Sequence, residues 1–347
     1  MDTSWLSFRS TVRERLLDLL WRQWSAIGVP GHGPAEECYV VDPEALLLLT
    51  MSVGRYDPRL FDEAVDWLSV NSPFINVQRL RNLVSTYAFE GTRPLSALAA
   101  WLKKKSTDAK WKVLAAPLTT ETTLPARDSF FLLADGTPMP DPRTPSTEFM
   151  AVGYRRGQLT PLGKAGPFPL QGMPSLLLRL RALLGVNARC ELLCTLGASE
   201  EVHPSGVARP AGYSTRTTQT TLADMAASGM VKVRPERREK RYSLAGETLL
   251  PLLRPEGKLT PWKNFAPLFR ACEILWLSID DPMRRQIDDP VLAASEFRRI
   301  AKAIRPLVGE TGLGARLSEG AGYRGESYTS VFVREISGLL AEISPLP

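Results

Sequence analysis

Histidine is nearly absent from this chain of 347 residues, with His32 and His203 its two examples, and cysteine is scarce, with Cys38, Cys190, Cys194 and Cys272. So few cysteines in so long a chain do not make the disulfide framework of a small secreted fold; they read as reduced core residues. Cys190 and Cys194 lie four apart on one helix, but zinc takes four ligands and two histidines leave the set incomplete. No metal and no cofactor are therefore expected. A Cys-His or Ser-His-Asp arrangement would have to use His203, which opens a short helix, or His32, which sits between Gly31 and Gly33. Neither context suits an activated nucleophile. Long apolar runs are also missing: Ala45 to Leu49 falls far short of the roughly 18 residues needed to cross a bilayer, so no membrane partner is expected. Met1 to Arg15 lacks a basic stretch followed by an apolar one, so the expectation is no secretory leader and a cytoplasmic location.

Other absences narrow the function further. The glycine-rich stretch Gly309 to Gly314 lacks the Lys-Ser/Thr of a phosphate loop, and Gly320 to Gly325 reads as a loop by the same test. Asp280-Asp281 and Asp288-Asp289 both precede proline, which makes turn and helix-cap chemistry the plain account of these carboxylates. No repeat of fixed period is present. With no catalytic constellation, the chain is expected not to be an enzyme.

What is present is proline, 28 residues, and a modest charge excess of 43 basic over 37 acidic side chains, +6. At roughly 100 to 200 residues per domain, two or three domains are expected. The excess is local: residues 175–254 carry 12 Lys or Arg against 7 Asp or Glu, 12 − 7 = +5. Lys232, Arg234, Arg237, Arg238, Lys240 and Arg241 fall within ten positions whose acidic residues are Glu236 and Glu239.

Residues 1–115 read as a helical N-terminal domain. Val12, Leu16, Leu17, Leu20 and Trp24 recur at helical spacing, and Asp42-Pro43 and Asp57-Pro58 each pair an N-cap carboxylate with proline at the first helical position. A helix from Asn76 turns Val77, Leu80, Leu83 and Val84 inward and Gln78, Arg79, Arg81 and Asn82 outward. That face reads as the polar surface of a core helix, with a second base-reading element as the alternative. Lys103, Lys104 and Lys105 suit the negative end of a further helix. Residues 116–174 read as a Pro-rich linker with short strands, one of them Phe149 to Tyr154. Residues 255–347 read as a helical C-terminal region with stripes Phe265, Leu268, Phe269, Cys272, Leu275, Trp276 and Phe297, Ile300, Ile304, Leu307. These stripes would either pair two subunits in a homodimer or pack on the N-terminal helices.

Residues 175–254 carry the information. A helix with Leu176, Leu177, Leu180 and Leu183 breaks at Gly185; Asn187 caps the next, with Leu192, Leu193 and Leu196 inward. Pro204 opens a helix of barely two turns through Val207 and Ala208. Gly212 permits a turn, Ser214 caps, and Thr215 to Ser228 follows with Thr218, Leu222 and Met225 inward. After Gly229 the period changes from 3.6 to 2: Met230, Val231 and Val233 form one strand, Tyr242 and Leu244 its partner.

In this order of elements, residues 187–247 resemble the winged helix-turn-helix domains of bacterial transcriptional regulators of the MarR and ArsR kind. The matching residues are Val207-Ala208-Arg209, Gly212-Tyr213-Ser214, Leu222, Met225, Ser228-Gly229-Met230-Val231 and Arg241-Tyr242-Ser243-Leu244. The chain departs from common examples in Pro210 before the turn and in Glu236 and Glu239 of the basic run. The fold expected is mainly α, with a helical N-terminal domain, a central winged helix with a small β-hairpin, and a helical C-terminal region.

The resemblance implies binding of double-stranded DNA, with the second helix of the motif in the major groove. Ser214, Thr215, Arg216, Gln219 and Thr220 would stand at bases and phosphates, Arg216 suiting guanine and Gln219 adenine, while Arg237, Arg238, Lys240 and Arg241 would lie on flanking phosphates. The expected role is a transcriptional regulator. The alternative is an antitoxin-like or defence-complex protein whose winged helix docks a protein partner.

Overall fold

The computed structural model describes residues 5–31, 39–105, 109–115, 128–236, 239–245, 249–314 and 316–343, and among these the protein is mainly helical with two small two-stranded sheets. His32, Cys38, Arg237 and Arg238 lie outside the described residues.

Five helices come first: α1 (Trp5–Ala26), α2 (Pro43–Val53), α3 (Pro58–Asn71), α4 (Val77–Tyr87) and α5 (Thr92–Lys105). The Asp-Pro steps start two of them. Asp42 accepts the Ala45 N–H at 3.1 Å and Asp57 the Leu60 N–H at 3.0 Å, with proline at the first helical position, where its missing N–H leaves nothing unsatisfied. Helix α2 is apolar almost all round, and each of its residues is buried, so it runs through the middle of the core rather than over its surface.

The chain's last helices, α12 (Phe265–Ile279), α13 (Pro290–Gly309) and α14 (Ser327–Ile343), close the same core. Trp5 stacks on Phe297 with ring centroids 4.7 Å apart, Phe297 stacks on Phe332 at 4.8 Å, and the Trp5 indole N–H donates to the Ile279 carbonyl at 2.9 Å. Of the two uses open to the C-terminal stripes, packing on the N-terminal helices is the one the structure shows. Asp289-Pro290 opens α13, Asp289 accepting the Val291 N–H at 2.7 Å. Asp281 makes the expected turn before Pro282, accepting the Met283 N–H at 2.9 Å, while Asp280 ends α12 and its side chain binds Arg9, Arg285 and the Tyr56 hydroxyl.

The Pro-rich segment joins this core as well. Strand β1 (Asp128–Ser129) pairs in parallel with β2 (Tyr154–Arg155), and Phe130, Phe149 and Phe168 are buried, Phe130 against Phe61 at 4.9 Å. The strand expected from Phe149 to Tyr154 is mostly a one-turn helix, α6 (Thr147–Ala151). Ser146 caps it with its hydroxyl toward the Phe149 N–H, and only Tyr154 and Arg155 pair.

A second core is built from α7 (Leu176–Leu184), α8 (Ala188–Gly197), α9 (Pro204–Ala211), α10 (Thr215–Ala227), the antiparallel pair β3 (Val231–Glu236) and β4 (Glu239–Leu244), and α11 (Leu250–Leu253). Val202 adds one rung to the sheet, exchanging backbone hydrogen bonds with Tyr242 at 2.8 and 2.9 Å. In α7, Leu183 is 67% exposed; the buried stripe stops at Leu180 because the helix end leaves the core. Cys190 and Cys194 are free and buried, and burial pushes the Cys190 thiol up to about 11 and the Cys194 thiol further. No group of three or more potential metal ligands occurs among the described residues.

The two cores meet across a buried ionic cluster, and here Arg79 departs from expectation. It was placed on the outward face of α4, with Gln78, Arg81 and Asn82, yet it is 1% exposed. Its guanidinium binds Asp42 through both oxygens at 2.6 Å, Glu44 at 2.8 Å and the Ala211 carbonyl at 2.9 Å. Arg181 of α7 binds both oxygens of Glu44 at 2.7 Å, Glu191 of α8 at 2.6 Å and the Phe74 carbonyl at 2.9 Å. Burial alone would raise the Asp42 carboxyl, but the Arg79 charge and hydrogen bonds against it outweigh this and hold it below the usual carboxylate range.

Removing one partner from such a cluster strands buried charge, a loss of about 3–5 kcal/mol. Arg181→Met, which leaves Glu44 and Glu191 without their shared guanidinium, should lower denaturant-measured stability by that amount; a loss under about 1 kcal/mol would show the cluster to be poorly coupled. A carboxyl depressed in the folded state stabilises above its unfolded value, here 3.8, and that contribution fades as pH falls through the lower folded value. Stability measured against pH should accordingly lose this contribution below pH 3.8, and Asp42→Asn should flatten the profile there.

Candidate nucleic-acid interface

Helix α10 begins at a turn that only glycine fills without strain. Gly212 has φ +81°, and a Cβ there would stand 2.9 Å from Cγ of Arg79. Ser214 then caps the helix, its Oγ accepting the Thr217 N–H at 3.1 Å. Its hydroxyl oxygen is thus engaged at the helix start, which gives this predicted contact residue a structural role as well. Thr218, Leu222 and Met225 point into the second core, and Thr215, Arg216, Gln219, Thr220 and Ala223 are exposed.

On one side α10 faces the hairpin across a groove of about 630 Å³ lined by His203, Gln219, Thr220, Ala223, Glu239, Lys240 and Tyr242. The predicted helix residues Gln219 and Thr220 and the predicted hairpin residue Lys240 are therefore brought together. Arg216, Gln219, Thr220 and Lys240 have no side-chain partner among the described residues, whereas two hairpin arginines do. Arg234 pairs with both oxygens of Glu201 at 2.9 and 2.6 Å, and Arg241 with Glu236 at 2.9 Å. Each of these pairs is substantially exposed.

The residues that aim α10 stand out in the sequence for other reasons, Asn76 and Asn82 at the start and on the polar face of α4 and Tyr213 in the turn, and their joining is visible only in the fold. The Tyr213 hydroxyl receives the Asn76 side-chain N–H at 2.6 Å and lies 3.5 Å from Glu191; Asn82 donates to the Gly212 carbonyl at 2.9 Å. Together with the Arg79 bond to Ala211, these fasten the whole α9–α10 turn to α4 and α8. One available signal was Gly212-Tyr213-Ser214 itself, since a tyrosine in a tight turn beside a buried cluster needs a partner for its hydroxyl.

Neither the family models nor the curated proteins nor the solved structures contain a match to this chain.

Two glycines with nearly the same φ separate strain from packing. Gly229, φ +78°, has open space where a Cβ would point, while Gly212 has Arg79 there. Gly229→Ala should cost about 1 kcal/mol for backbone strain alone. Gly212→Ala should cost more, because Arg79 must also shift. Equal losses by chemical denaturation would mean that the Arg79 stem does not wedge this turn.

Proposed function

We propose that the chain binds double-stranded DNA through a winged helix made by α8, α9, α10 and the β3–β4 hairpin, and acts as a DNA-binding transcriptional regulator. The observation that carries this reading is the outer face of α10. Thr215, Arg216, Gln219 and Thr220 are exposed hydrogen-bonding side chains without a side-chain partner among the described residues, beside Lys240 of the hairpin. Arg216 would take a guanine edge in two hydrogen bonds and Gln219 an adenine edge, with the threonines at phosphate or a thymine methyl. Lys240 and Lys232 would neutralise flanking phosphates. Lys232 and Lys240, hairpin cations with no side-chain partner among the described residues, correspond to a log-log salt slope of about −2, rising toward about −5 where the paired Arg234 and Arg241 and also Arg237 and Arg238 engage.

The Glu201–Arg234 and Glu236–Arg241 pairs favour a second reading, an interaction protein that docks a protein partner on this face, because they remove charge that a polyanion would use.

Binding of mixed-sequence and selected duplexes, measured over a range of salt concentrations, separates the two. Arg216→Ala and Gln219→Ala should remove sequence preference while leaving salt-dependent affinity, and Lys240→Ala should weaken all duplexes alike and reduce the slope by about 1. Absence of wild-type binding at low salt would overturn the DNA reading and favour the protein partner.

A further inference from the structure

Helix α10 has two flanks, and the hairpin occupies one of them. At 100° per residue, Gln219 and Ala223 lie on the hairpin side, and Thr217 lies on the other, with Arg216 and Thr220 on the ridge between. The second flank is bordered by α4. A groove of about 570 Å³ runs between the two helices, lined by Gln78, Asn82, Ser85 and Thr86 of α4 and by Ser214 and Thr217 of α10. Its floor is Gly212, Tyr213 and Arg209, the last held by Glu310 at 3.0 Å.

We propose that the exposed face of α4 is a second DNA-contacting surface, which grips the phosphate wall of the major groove opposite the one the hairpin touches. This rests on the DNA reading of α10 and extends it.

Three observations support the assignment. First, the residues are of the right kind: amide, hydroxyl and Arg side chains are, with Lys and backbone N–H groups, regular donors to phosphate oxygens. Ser85, Thr86 and Arg81 are exposed and have no side-chain partner among the described residues. Gln78 donates to Asn82 at 2.9 Å and keeps its carbonyl and second N–H for other partners, while Asn82 is committed to Gly212. Second, the face carries no carboxylate: its exposed residues are Gln78, Arg81, Ser85 and Thr86, whereas the hairpin has Glu236 and Glu239. Third, α4 cannot drift with respect to α10. Arg79, Asn76 and Asn82 all bind the α9–α10 turn, so the distance between the two polar faces is set within the protein before any duplex arrives. Preorganisation of this kind lets two surfaces add affinity without a new ordering cost.

The test places charge on the face. Ser85→Glu should lower affinity for a mixed-sequence duplex by about tenfold through repulsion of phosphate. Ser337→Glu, which adds the same charge at an exposed position of the C-terminal helix α14, should change it by less than about twofold. Arg81→Ala should reduce the magnitude of the salt slope by about 1. Urea midpoints of all three variants should match the wild type, since each site is exposed. If the wild type binds and Ser85→Glu and Arg81→Ala bind unchanged, or more tightly, α4 is not a contact surface and the α10 reading stands alone. If the wild type does not bind at low salt, both fall.

Discussion

Two guanidiniums shared among three buried carboxylates decide how the two cores of this protein sit on one another. Asp42, Glu44 and Glu191 carry three negative charges against the two positive charges of Arg79 and Arg181, and each side chain is buried. The excess carboxylate is tolerable because of where it lies. Asp42 caps α2, Glu44 sits in the first turn of the same helix, and Glu191 sits in the first turn of α8, so the positive ends of two helix dipoles face the cluster. The Asn76 N–H adds a further donor to Glu44 at 2.7 Å. An apolar plug of equal volume would stabilise about as well, since desolvation consumes most of the Coulomb energy of buried pairs. What the ions add is direction: bidentate contacts of 2.6–2.8 Å admit one register between α2, α4, α7 and α8.

That register reaches the surface through a short path. Arg79 binds Asp42 and the Ala211 carbonyl with the same guanidinium, and Asn76 both caps α4 and binds Tyr213. The turn that sets the direction of α10 is therefore part of the cluster's outer shell. Helix α10 makes few apolar contacts of its own, with three fully buried side chains among thirteen residues, so packing alone would leave its angle loosely defined. Hydrogen bonds from α4 supply the missing constraint. The exposed face of α10 is held in place by residues 130 and 132 positions before the groups they bind.

Features that depend on near neighbours were legible in the sequence. Asp-Pro caps, the inward stripe Thr218, Leu222 and Met225, and the change of period after Gly229 are local consequences of helix and strand geometry. The face of α10 was accordingly readable residue by residue. Arg79 was not. On a helical wheel it falls among polar neighbours, and the groups that make its burial tolerable, Asp42 and Glu44 at the start of α2 and Ala211 at the end of α9, come from two elements far away in the chain. Phe149 was misread for a related reason: a lone aromatic among prolines fits a strand or a single helical turn equally, and the Ser146 cap decides it. The shared core of α1 with α13 and α14 was likewise undetermined, because an apolar stripe states that it is buried and not by what.

The same distinction between local and distant partners bears on the charge of the hairpin. By sequence, the run from Lys232 to Arg241 is a strong cation; in the fold, Arg234 meets Glu201 from the α8–α9 connection, and Arg241 meets Glu236 across the strands. Both pairs are exposed, and pairs of that kind contribute between about 0 and 1 kcal/mol, so a phosphate could replace either glutamate with little loss. For a duplex partner this lowers the affinity for any polyanion by the small energy of breaking each pair, without touching Arg216 or Gln219, which have no side-chain partner among the described residues. That cost is common to every duplex, so it lowers overall affinity and cancels from the ratio of specific to non-specific binding, which the base-edge contacts would set. A hairpin with all its cations free would bind every duplex more tightly and discriminate no better.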